Sequence, residues 1–169
     1  AMLANDHPVH RRSELLALGI PDALQSAMVP RGVLTRLRHG VYALRDLVET
    51  DSPAERHRID LAAAVAGARD PVWAFGLSAT LLLGMPLPFA VPPKLSLVRA
   101  SGSDERALRR VSRHRLVIPE GRVTTGPVDS DATMTVRGVP TVGPALAAVG
   151  AAADLTSSRW RTALFDAAL

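Results

Sequence analysis

Residues 10–44 read HRRSELLALGIPDALQSAMVPRGVLTRLRHGVYAL, and a change of period inside this stretch decides the fold. From Arg11 to Leu18 the side chains of Leu15, Leu16 and Leu18 are spaced for one helical face, and Gly19 follows where a helix C-cap takes positive φ. Pro21 suits the first turn of a second helix, with Leu24, Ala27 and Met28 inward, that stops before Pro30. After Arg31 and Gly32 the period drops to two. Val33–Arg38 then forms a strand, His39-Gly40 a turn and Val41–Leu44 the return strand. Residues two apart on a strand point the same way, so Arg36 and Arg38 are expected on one face of this hairpin. Helix, tight turn, helix and basic hairpin is the order of a winged helix-turn-helix.

Such a module occupies roughly the first 45 to 50 residues and folds as a unit. The expected organisation is therefore α+β: a winged helix-turn-helix over 1–48, then a mixed α/β domain over 49–169. In a winged helix the 21–29 helix enters the major groove, which makes Gln25 and Ser26 the base-edge readers. Arg31, Arg36, Arg38, His39 and the pair Arg11 and Arg12 are the candidates for phosphates or the minor groove. A helix with so few long polar side chains discriminates weakly alone. Two copies on repeated sites, a homodimer on DNA, are therefore expected.

The helix closed by Gly19, the second helix, Arg31-Gly32 and the strand ending in His39-Gly40-Val41-Tyr42 together resemble the N-terminal domain of the AbiEi-type antitoxins of type IV toxin–antitoxin systems. The resemblance continues through Ser78–Pro86, SATLLLGMP, through the strand pair ending at Arg113-His114-Arg115, and through Val139–Ala145, VPTVGPA, so it spans roughly the whole chain. The order of several short motifs carries it. The helix before Arg31 is poorer in arginine than is usual in that family, Pro30 interrupts its end, and Gly143 stands where a serine is common. What the resemblance implies is a repressor of its own operon through operator DNA, whose second domain counters a nucleotidyltransferase-like toxin.

The remaining elements follow from local signals. Arg45 to Asp51 leans acidic and is the expected domain boundary. Ser52-Pro53-Ala54-Glu55 combines an N-cap serine, a first-turn proline and a third-position glutamate, opening a helix to about Ala68. Its inward candidates are Ile59, Ala62, Ala63 and Ala66, with Arg56, Arg58 and Asp60 toward solvent. Val72–Phe75 and Lys94–Val98 read as buried strands, and Ser78–Leu83 as a short helix closed by Gly84. Ser78 lacks the second glycine of a nucleophile elbow, so a structural role as an N-cap or first-turn residue is expected. Leu116–Ile118 and Thr133–Val136 are strand-like, Arg137-Gly138 is a turn, and helices follow from Pro144 and from about Thr156. The last helix runs to Leu169 without a cap, as in a truncated chain or an end packed against something. Ala1 before Met2 reads as a tag remnant.

The formal net charge is +4 and the basic residues are almost all arginine, the better fork for phosphates and guanine edges. The densest cluster, Arg106, Arg109, Arg110, Arg113 and Arg115 with His114, is a candidate second anion-binding surface. There is no cysteine, which excludes disulfides and thiolate chemistry. His7 and His10 have no further ligands nearby, so no metal is expected, and no cofactor motif is present. No run of about 18 apolar residues and no leader pattern occurs, pointing away from the membrane and to the cytoplasm. The acidic residues are scattered, Asp129 and Asp131 sit in a Ser-rich turn, and Lys94 is the sole lysine, which argues against a metal-dependent nuclease and against enzymatic activity. The alternatives are a stand-alone winged-helix regulator and the non-catalytic part of a nuclease-like relative.

Overall fold

The computed structural model describes residues 9–69, 71–92, 94–99, 111–113 and 133–169. The chain is α+β and divides into two compact units, 1–69 and 70–169. This division falls later in the chain than the expected break after 48. The capped helix belongs with the N-terminal sheet, because its apolar face is the cover that sheet requires.

In the first unit the order is β1 (Val9–Arg11), α1 (Arg12–Ala17), α2 (Asp22–Met28), β2 (Leu34–Arg38), β3 (Val41–Leu44), α3 (Arg45–Val48) and α4 (Pro53–Ala66). The three strands form an antiparallel sheet in the order β1-β3-β2. Strand β1, for which the sequence reading gives no signal, adds the third strand by pairing Val9 with Ala43 and Arg11 with Val41. Val9, Leu34, Val41 and Ala43 are buried, and α4 packs on the sheet with Ile59, Leu61 and Ala63 buried beside them. The start of α4 is as expected: Pro53 is the first residue and the Glu55 N–H donates to Ser52 Oγ at 3.3 Å. Arg58, expected in solvent, instead has only 11% of its side chain exposed and pairs with Glu55.

The α1–α2 turn departs from the expected helix faces. Gly19, at φ +80°, lets its own N–H reach Leu16 O and the Ile20 N–H reach Leu15 O, both at 2.9 Å, closing α1 in a Schellman turn. Of the three leucines expected inward only Leu15 is buried; Leu16 and Leu18 are exposed. On α2 the buried residue is Gln25, at 1% exposure, whereas Leu24 faces out at 43%. The reason is polar. Gln25 Nε2 donates to Ile20 O at 2.8 Å and to Arg12 O at 3.5 Å, satisfying carbonyls that the turn leaves open and fixing the phase of the helix.

The second unit contains β4 (Val72–Ala74), α5 (Gly76–Leu82), β5 (Leu95–Arg99), β6 (Val111–Arg113), β7 (Thr133–Val136), β8 (Val139–Val142), α6 (Pro144–Asp154) and α7 (Ser158–Ala168). Its mixed sheet runs β6-β5-β4-β8-β7, with β5–β6 and β4–β8 parallel and the other pairs antiparallel. Helices α5 and α6 pack closely because Gly150 leaves room for the ring of Phe75; a Cβ at Gly150 would lie 2.4 Å from Phe75 Cζ. Ser78 is fully buried, and its Oγ accepts the Ser96 N–H at 2.9 Å, a structural tie between α5 and β5. The expected strand Leu116–Ile118 lies outside the described residues.

Candidate nucleic-acid interface

Over residues 9–45 there are six arginines and two acidic residues; over 46–69 there are three arginines and five acidic residues. The positive part of the first unit is therefore the segment that forms α1, α2 and the hairpin, and every DNA-facing candidate lies on it.

The hairpin positions its arginines through an irregularity. Arg36 pairs with Tyr42 and Arg38 with Val41, so Leu37 is an extra residue in a β-bulge. Cross-strand partners share a face, and Val41 and Tyr42, being neighbours, lie on opposite faces. Arg36 and Arg38 therefore lie on opposite faces, which corrects the expectation drawn from strict alternation. Arg38 shares the side of buried Val41, and its stem passes over Gly67 at the end of α4, where a Cβ would lie 3.7 Å from Arg38 Cδ. Arg36 is exposed and reaches round the turn: its Nε donates to Arg38 O at 3.4 Å and its guanidinium to His39 Nδ1 at 2.8 Å. A guanidinium has no acceptor, so Nδ1 must accept and the ring proton sits on Nε2.

Arg11 and Arg12 stand where β1 becomes α1. The Arg12 N–H donates to Gly40 O at 2.8 Å, tying the hairpin turn to the start of the helix. The Arg12 guanidinium turns to α2, where its Nε donates to Asp22 Oδ1 at 2.6 Å and a second bond joins Nη2 to Oδ2. This hydrogen-bonded pair raises the Arg12 pKa and lowers that of Asp22, both chiefly through the shared hydrogen bond. The Arg11 backbone N–H donates to Glu14 Oε2 at 2.8 Å, and its side chain is exposed. Between these elements and the end of α4 is an open cleft of about 350 Å³. Arg11, Arg12, Ser13 and His39 form its polar rim, and Leu16, Val41 and Gly67 are part of its apolar surface. The α4 wall has no sequence signal that would place it beside the hairpin turn.

Of the two base-reader candidates, Ser26 is exposed on α2, whereas Gln25 is spent on the turn carbonyls and does not reach the surface. That removes Gln25 from the interface. The outward face of α2 is otherwise short or apolar, with Ala23 and Leu24 exposed. Arg31 is exposed in the turn after α2. Arg106, Arg109, Arg110 and Arg115 lie outside the described residues; Arg113 is the last residue of β6, in backbone register with Leu97.

Among the described residues no group of His, Cys, Asp and Glu is placed to hold a metal ion, and no helix is long and apolar enough to cross a membrane. No family model, curated protein or solved structure matches this chain.

Proposed function

We propose that the first unit is a winged helix-turn-helix that binds duplex DNA, and that the chain is an AbiEi-type antitoxin which represses its own operon and counters a nucleotidyltransferase-like toxin. The observation that carries the DNA-binding part is the order β1-α1-α2-β2-β3 with the strands arranged β1-β3-β2 and the arginines gathered on the α1 start and the hairpin. That order supports a helix-turn-helix made of α1 and α2 with β2–β3 as the wing. The antitoxin role rests on the sequence resemblance, which spans both units.

On this reading affinity comes mainly from phosphates. Arg11, Arg31, Arg36, Arg38 and His39 supply cations or donors, and four to six contacts give a log K against log salt slope of roughly −4 to −5. Base discrimination is left to Ser26 and to the deformability of the site, because the rest of the α2 surface carries no long donor or acceptor. Specificity then comes from two copies on repeated half-sites.

The test is a gel-shift of the full chain on the DNA upstream of its own gene, repeated with Arg31→Ala and Arg36→Ala. Both side chains are exposed, so the variants should keep the wild-type melting temperature and each lose part of the affinity, with a shallower salt slope. Unchanged binding in both removes the wing assignment. The antitoxin role is tested separately, by asking whether an adjacent gene encodes a nucleotidyltransferase and whether cells expressing that product grow better with this chain than without it.

A further inference from the structure

We infer that the cleft between the start of α1, the hairpin turn and the end of α4 seats one phosphate group, held by the Arg11 guanidinium, the Ser13 hydroxyl and the Nε2–H of His39. The inference rests on the DNA-binding reading only for the source of that phosphate, a diester of the duplex backbone; inorganic phosphate offers the same chemistry.

The rim can supply three donors. Arg11 is donor-only, Ser13 can turn its proton outward, and Arg36 occupies His39 Nδ1 so that Nε2 is left to donate. No carboxylate lines the cleft. The nearest in sequence, Glu14, is turned back onto the Arg11 N–H, and Asp22 is occupied by Arg12. Arg12 is accordingly not counted among the ligands.

The backbone that carries these donors is tied together before anything binds. Arg11 is in register with Val41, and the Arg12 N–H holds Gly40 O at 2.8 Å, so the helix start and the turn that carries His39 are one rigid piece. A fixed backbone confines the ordering cost of binding to the exposed side chains of Arg11, Ser13 and His39. Leu16, exposed at 44%, and Gly67 line the cleft beside these donors and offer a surface for a sugar. A volume of about 350 Å³, open on one side, suits a phosphate with its flanking sugars passing along a polymer.

Fluorescence anisotropy of the full chain on a labelled duplex from upstream of its gene, across a salt series, tests this with Arg11→Ala, His39→Ala and His39→Gln. Arg11→Ala and His39→Ala should each weaken binding about tenfold, the scale of one charged hydrogen bond; Arg11→Ala should also flatten the salt slope by about one, whereas His39→Ala, which removes a neutral donor, should leave the slope unchanged. His39→Gln keeps an N–H donor near Nε2 and should stay within a few-fold of wild type. In parallel, inorganic phosphate is titrated while the amide and imidazole resonances of Ser13 and His39 are followed by NMR. Wild-type affinity and slope in both alanine variants overturn the inference and leave the DNA-binding reading standing. Phosphate-dependent shifts at Ser13 and His39 in a chain that binds no duplex uphold the cleft and overturn that reading. Neither duplex binding nor phosphate shifts overturns both.

Discussion

His57 sits on α4 at 7% exposure, and burial pushes its pKa below the ordinary 6.5, with Asp60 partly opposing. The folded unit therefore favours the neutral ring. The unfolded chain takes up the proton first as pH falls, so this contribution is complete above 6.5 and is lost as pH drops through the depressed folded value. The denaturant midpoint should fall across that window in the wild type and less steeply in His57→Gln. A second residue-scale prediction concerns Arg12, which Asp22 holds away from any other anion. Asp22→Asn should release it, raising duplex affinity a few-fold and steepening the salt slope by up to one unit; unchanged binding would show that Arg12 makes no contact even when free. Residue roles were the least legible part of the sequence. Gln25 is polar on a helix and reads as exposed, because the carbonyls it serves, Ile20 O and Arg12 O, come together only once the turn has formed.

At the scale of elements, local signals carried most of the fold. The hairpin, its His39-Gly40 turn and the cap of α4 depend on neighbours within four residues, and each formed where the sequence places it. What escaped depends on distant partners: β1 is three residues long, too short for a period, and exists because β3 offers an edge. The bulge at Leu37 likewise has no sequence mark, and it alone separates Arg36 from Arg38. The α5–α6 contact gives a prediction at this scale. Gly150→Ala puts a methyl into the Phe75 ring and should destabilise the second unit by about 1–3 kcal/mol. Phe75→Leu should cost less in that background than in the wild type, a non-additivity measurable in a double-mutant cycle.

For the molecule as a whole, the informative difference is where the first unit ends. The composition shift at 45–51 reads as a linker, yet the helix beyond it closes the sheet, since Ile59, Leu61 and Ala63 are buried in the unit that ends at Arg69. A fragment of residues 1–69 should therefore melt cooperatively and retain duplex binding, whereas 1–48 should show no cooperative transition, its sheet having lost its apolar cover. Circular dichroism melts of the two fragments decide between the boundaries. The candidate site is divided in the same way: its arginines were legible because composition and period mark them, and its α4 wall was not.

That dependence of the strands on a later helix has a consequence for how the chain is made. The ribosome completes β3 at Leu44 before it has synthesised residues 45–66. At about 5–20 residues per second that leaves roughly one to four seconds in which Leu34, Val41 and Ala43 have no cover. Slower elongation lengthens that interval, and lower temperature offsets it only in so far as it weakens the attraction between exposed apolar strands.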